Sequence, residues 1–263
     1  MGNLQTLLNL IDGDKFALPE NGAYKAFVLL NKNTYGLQKT TKIELEAYAI
    51  YDCKNPKAKQ GCNRYYLEFE IKNPVEKQSW TKSDILITLL QNPSNTIPKE
   101  NNTIKIDTTV QNVIRMAYLS GYKKIVIFNT FSLIDGNSYD TKKFLKENSN
   151  KDKTDVNTKF IKQYFESLQN KTMKDFDFLV AWGSGKNILN QIEKAEYHSI
   201  INTVKNKWAY GINESDTPTH PGNLAQAAVP FIKRILNKDY SNGPFKIDKI
   251  LPDGTVLSNK TYK

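Results

Sequence analysis

The chain has 263 residues, with 37 Lys and Arg against 27 Asp and Glu, two Cys and two His, 39% apolar and 24% charged residues. That composition describes a globular chain with enough apolar material for one large domain, and no run approaches the roughly 18 apolar residues of a membrane span. Two Cys and two His cannot build an ordinary four-ligand zinc centre unless carboxylates join them, and Asp12, Asp14 and Lys15 interrupt the early apolar run that a signal peptide would need. The formal net charge of +10 favours an anionic partner, nucleic acid being the commonest.

Two segments of the first seventy-odd residues, Ile43–Ile50 and Tyr65–Ile71, alternate apolar and polar positions. This is the pattern of antiparallel strands with one wet face. Between them lie Cys53 and Cys62, either a reduced hairpin tip or a disulfide loop; the reduced form is expected in a cytosolic protein. From Asp84 onward the pattern changes to unbroken apolar strands separated by helical stretches. Strands are expected over 85–90, 124–128, 176–181 and 208–212. The helices between them are expected over 108–119, 156–168, 186–204 and 224–236, the first capped by Asp107 or Thr108 and closed by Gly121. A polar insertion spans 135–155, and Pro252-Asp253-Gly254 marks a C-terminal hairpin. The alternation predicts an α/β fold, a three-layer αβα sandwich around a central, mainly parallel four-stranded sheet. Residues 1–78 would form a β-rich extension and 79–263 the main domain.

In such sheets ligands bind in the crevice outside the strand C-termini. The four strands are followed by Gln91-Asn92-Pro93-Ser94, Asn129-Thr130-Phe131, Trp182-Gly183-Ser184-Gly185 and Thr219-His220-Pro221-Gly222-Asn223-Leu224. No phosphate-binding loop, dinucleotide fingerprint, nucleophile elbow or carboxylate metal cluster occurs. The expected site is polar, takes no metal or cofactor, and holds one acid–base group.

The order of these segments resembles the uracil-DNA glycosylase superfamily, in which the strand ends carry a water-holding Asp-Pro or Asn-Pro loop, a base-reading Asn, a Trp-Gly and a late His-Pro. It also looks like a bacterial and phage family of unknown function with Asn-Pro-Ser, Ala-Trp-Gly and His-Pro motifs. The resemblance covers roughly 85–236. It implies a monofunctional DNA glycosylase that flips and excises a modified or damaged pyrimidine, including a hypermodified phage base in anti-phage defence. On that resemblance Asn92 would hold the attacking water and His220 would donate a hydrogen bond to the departing base. Gln91, Ser94, Asn129 and Phe131 would bind the base, with Asn129 reading its edge. Leu224 would be the wedge that fills the space the base leaves, and Asp107 stands in reserve as a catalytic carboxylate. Small Ser94, where the uracil-specific branch has Tyr, implies room for a 5-substituent. DNA is the expected partner, with no membrane, a monomeric state and a cytoplasmic location. The alternative is a module on the same fold that binds a modified base or nucleotide without cleaving it; an enzyme of free nucleotides is a third possibility. Trp182, at the end of its apolar strand, is expected to pack rather than react. Lys123, Lys124 and Lys186 are candidate phosphate contacts or merely solvated charges.

Overall fold

A computed structural model describes residues 8–9, 16–19, 22–56, 61–99, 101–134, 151–169, 176–222, 228–239 and 244–261. The strands are β1 (Phe16–Leu18), β2 (Tyr24–Leu30), β3 (Thr41–Tyr51), β4 (Arg64–Ile71), β5 (Ile85–Leu90), β6 (Ile97–Lys99), β7 (Thr103–Lys105), β8 (Lys124–Asn129), β9 (Phe176–Val180), β10 (Asn206–Ala209), β11 (Phe245–Ile250) and β12 (Val256–Thr261). The helices are α1 (Lys32–Tyr35), α2 (Thr108–Ser120), α3 (Lys151–Gln169), α4 (Lys186–Lys194), α5 (Tyr197–Asn202) and α6 (Val229–Leu236).

The expected fold class is corrected here. The strands form one twelve-stranded mixed sheet in the order β12-β11-β10-β9-β5-β8-β4-β3-β2-β7-β6, with β1 pairing β3. Most pairings are antiparallel. Parallel pairing is confined to β8-β5-β9-β10 and to one contact of β2 with β7. The physical reason lies at β8. As an edge strand it would leave a row of unpaired N–H and C=O groups; β4 satisfies them antiparallel, Leu67 opposite Ile127 and Glu70 opposite Lys124. The N-terminal strands therefore continue the sheet through β4 instead of standing beside it. Nor does β4 have a wet face. Its residues are buried throughout except Glu70, and Glu68 is accommodated by the Tyr66 hydroxyl and by an ion pair with Lys124 at 3.0 Å.

Within the parallel block, alternate residues feed two cores. Leu86, Leu90, Ile125, Ile127 and Leu179 join a cluster with Val113 and Met116 of α2 and Phe231 of α6. Ile87, Leu89, Val126, Phe128 and Phe178 join another with Phe160 of α3, Ile188 of α4 and Ile201 of α5. Helices thus cover both faces of this block, and its C-terminal ends open onto a common rim.

The single helix expected over 186–204 is two. Glu196 adopts a left-handed conformation (φ 55°), which breaks the run between α4 and α5. Asp107 caps α2, its Oδ1 accepting the Val110 N–H at 3.0 Å, and Gly121 (φ 85°) closes it with its N–H donating to Ala117 and Tyr118. A β-carbon at Gly121 would lie 2.5 Å from Lys77 Cα and 2.6 Å from the Glu76 carbonyl oxygen. Both the conformation and the contact exclude a side chain. Gly121→Ala is expected to lower unfolding free energy by about 2–3 kcal/mol, read from urea denaturation at unchanged slope. A loss below 0.5 kcal/mol would mean that Glu76–Lys77 does not press on this turn.

The cysteines form a Cys53–Cys62 disulfide, the second of the two alternatives and not the expected reduced tip. The region 135–150, most of the polar insertion, lies outside the described residues, as does the start of the helix expected from 224. Among the described residues no helix is long and apolar enough to cross a membrane.

Candidate functional site

The rim of the parallel block is built from strand ends stitched together. Leu90 pairs with Asn129 in register; beyond it the Thr130 N–H donates to the Leu90 carbonyl at 2.8 Å. The Gln91 carbonyl accepts from the Phe131 N–H at 3.1 Å and from the Thr130 hydroxyl at 2.7 Å. The Gln91–Ser94 loop is thereby fixed against the Asn129 end. Asn157 of α3, fully buried, donates its amide to the Asn129 carbonyl at 2.9 Å and locks the same corner from below.

His220 arrives by a different route. After β10 the chain makes an excursion closed by the Ile212–Pro218 bridge and the Thr219 N–H to Gly211 carbonyl bond of 2.9 Å, which returns Thr219-His220 to the rim. Asn112 of α2 holds the next residue, donating to the Pro221 carbonyl at 2.7 Å. Gly183, in a left-handed conformation (φ 87°) just after β9, lets the imidazole come close: a β-carbon there would sit 3.2 Å from His220 Cβ. On its other side, a β-carbon on Gly222 would lie 2.9 Å from His220 Nδ1 and 3.0 Å from Thr109 Oγ1. The imidazole is wedged between the β9 end and the start of α2.

Its protonation state follows from these contacts. The Gly222 N–H donates to Nδ1 at 3.1 Å, so Nδ1 carries a lone pair and the proton of the neutral ring resides on Nε2. Burial pushes the imidazole down to about 4, against an opposing pull from the Asp107 carboxylate. At neutral pH His220 is an uncharged Nε2–H donor.

Asp107 links this imidazole to the asparagine side. Its Oδ2 accepts a short hydrogen bond from the Thr96 hydroxyl, whose oxygen in turn accepts the Asp107 N–H at 3.0 Å. The Thr96 carbonyl accepts Arg64 Nη1 at 3.0 Å, and Arg64 Nη2 donates to Asn129 Oδ1 at 3.3 Å. A hydrogen-bonded chain therefore runs Asp107, Thr96, Arg64, Asn129, and the Asp107 carboxylate acts on His220 through space. Arg64 is 2% exposed; burial lowers its pKa, with Tyr51 and Asp107 opposing. It remains a guanidinium at neutral pH. Two donors in this chain have no acceptor among the described residues, Asn129 Nδ2 and Arg64 Nε.

The remaining predicted residues divide. Gln91, Asn92 and Ser94 are half-buried on the rim, and the Asn92 amide donates to the Pro93 carbonyl at 3.4 Å. Phe131, at 3% exposure, is part of the core shared with Phe160 and Tyr65. Its ring is accounted for by packing. Leu224 lies outside the described residues. Trp182 is fully buried, its indole donating to the Gly254 carbonyl at 3.1 Å. Lys123 and Lys124 lie at the opposite end of β8 from Asn129, paired with Asp84 and Glu68.

Sequence reasoning missed Arg64, Thr96 and Thr109. Arg64 follows the Cys53–Cys62 loop, where its backbone N–H donates to the Ser132 carbonyl at 2.8 Å and Asn63 is clasped by Asp52. Arg64 also marks the start of the segment shared with other proteins. Residues 64–222 match the model of the family described as Protein of unknown function (DUF1643). The chain belongs to this family. No curated protein and no solved structure matches the chain. The DUF1643 segment opens on Arg64 and closes on Gly222, so it holds Thr96, Asp107 and Asn129, the rest of the hydrogen-bonded chain, together with Asn92 and His220.

Proposed function

We propose that this DUF1643 member is a DNA glycosylase that binds an extruded pyrimidine at the rim and hydrolyses its N-glycosidic bond. The observation that carries the reading is His220: a neutral imidazole with its proton on Nε2, held against Gly183 beyond the end of β9. Hydrolysis breaks the C1′–N bond with its electron pair leaving on the base, while water oxygen bonds to C1′ and a water proton is released. A neutral Nε2–H offered to a ring carbonyl stabilises the charge that appears on the base without a prior charge to neutralise. Asn129 offers an N–H to the base edge, Asn92 positions the water, and half-buried Ser94 leaves space for a 5-substituent. The net charge of +10 suits a DNA backbone. The protein would act as a monomer in the cytoplasm, with a hypermodified phage base as one substrate.

One observation favours a second reading, a module that binds the base without cleaving it. The residue in the water position is the amide Asn92, which cannot take a proton, and the Asp107 carboxylate is engaged by Thr96 and the α2 cap. Incubating the protein with DNA carrying uracil, thymine and 5-hydroxymethyluracil, followed by hot alkali, separates the two. Strand breaks at the base, diminished in Asn92→Ala and His220→Ala, support the glycosylase. Base-selective retention with no abasic sites supports the module. Breaks undiminished in both variants place the chemistry elsewhere.

A further inference from the structure

A carboxamide facing a base is ambiguous. Turned one way it offers N–H to a ring carbonyl; turned the other it offers its oxygen to an exocyclic amine. Here the ambiguity is removed by a residue from another strand. The Arg64 guanidinium has donors only, and Nη2 reaches Asn129 Oδ1 at 3.3 Å. Rotating the amide would bring two buried donors face to face. The guanidinium cannot turn away, because Nη1 is committed to the Thr96 carbonyl at 3.0 Å, with the Tyr51 hydroxyl beside it. Asn129 is 3% exposed, and its Nδ2, turned from Arg64, meets no acceptor among the described residues. Arg64 Nε likewise has none. This corner encloses two unsatisfied donors, and its one fixed oxygen is already spoken for.

We infer that Arg64 is a positioning residue that makes the site selective for pyrimidines with a carbonyl at C4, the uracil and thymine type with or without a 5-substituent, over 4-amino pyrimidines of the cytosine type. The inference rests on the base-binding reading above but not on cleavage. A 4-amino group would meet the Asn129 N–H donor to donor, leaving both unsatisfied in a buried place, which is how polar sites reject near-isosteres.

The test is equilibrium binding to fluorescent single-stranded oligonucleotides with a central 2′-fluoroarabino nucleotide, whose fluorine holds the glycosidic bond. Uracil is paired with cytosine, and 5-hydroxymethyluracil with 5-hydroxymethylcytosine; a tetrahydrofuran abasic analogue serves as baseline. The 4-oxo member of each pair should bind about 10- to 100-fold more tightly. In Arg64→Met, checked for cooperative melting, the ratio should fall to within threefold. Asn129→Ala, which removes the donor itself, should also lose the ratio. Equal affinities within each wild-type pair, with both above the abasic analogue, would overturn the inference and leave base binding intact. Affinities no better than the abasic analogue for every base would overturn base binding and the inference with it. A full ratio surviving in Arg64→Met would remove Arg64 from the role.

Discussion

His220→Ala is expected to slow base release by about 10²–10³-fold in single-turnover assays, the usual cost of removing one donor aimed at a developing anion. Affinity for an uncleavable base-bearing oligonucleotide should change less than fivefold, since the donor's strength is realised as charge appears. His220→Gln, which keeps an N–H in the same region, should recover part of the rate. The neutral state of the ring gives this prediction a pH signature. With the imidazole pushed down to about 4, the Nε2–H is present in the uncharged form across the neutral range, and the rate should show no His-like inflection between pH 6 and 8. An inflection near 6.5 that disappears in the variant would show that the ring ionises freely and is not held by Gly222 and burial.

The same shift bears on stability. In the unfolded chain the ring takes up its proton near its ordinary 6.5, in the folded protein only near 4, so the unfolded state binds more protons between these values. Stability is complete above about pH 6.5 and declines as pH falls towards 4, by about 3 kcal/mol if the full shift is realised. His220→Gln should remove that slope from a series of urea titrations.

How much of this the sequence discloses depends on what each residue has for neighbours in the chain. Asn92 and Asn129 sit at the ends of apolar strands, and His220 lies beside Pro221 and Gly222 after the excursion that follows β10; polar residues, Pro and Gly there interrupt an otherwise greasy pattern, and the rim follows from the rule that parallel strands end together. The parallel block is legible for the same reason: strands buried on both faces have no polar alternation. Its sheet partners are not. The alternation in β4 reads as one wet face, but Glu68 is neutralised by Lys124 from the neighbouring strand, and strand pairing across sixty residues leaves no local trace. Arg64 is hidden by a register fault. Ile50 pairs with Tyr66 while Tyr51 pairs with Arg64, so Tyr65 is the extra residue of a bulge. Tyr65 and Tyr66 consequently enter the same core, and Arg64 is turned toward Tyr51 and Asn129 rather than onto the face that strict alternation assigns it. A period-of-two reading cannot see a bulge, and so cannot find the arginine.

Arg64→Ala is expected to cost about 3–5 kcal/mol of unfolding free energy, the largest single loss predicted here for stability. The side chain is 2% exposed, and its removal strands the Thr96 carbonyl and Asn129 Oδ1 in a space too apolar to hydrate them cheaply. It also leaves Asp107 without the nearby positive charge that now opposes it, in addition to a cavity the size of an arginine stem. Arg64→Met fills most of that volume without the charge. Removing a buried ion spares its desolvation cost, so the methionine variant should lose only about 1–2 kcal/mol. Both variants remove the charge and strand the same two acceptors, so the contrast between them isolates the packing of the side chain, and urea titrations at constant slope would measure it. Equal losses in the two variants would mean that the hydrogen bonds dominate; an alanine loss under 1 kcal/mol would mean that the guanidinium is not enclosed by these groups at all. Retention of such an expensive group at a strand bulge beside the rim makes sense only if its hydrogen bonds are needed where they point, at the carbonyl of Thr96 and the amide of Asn129.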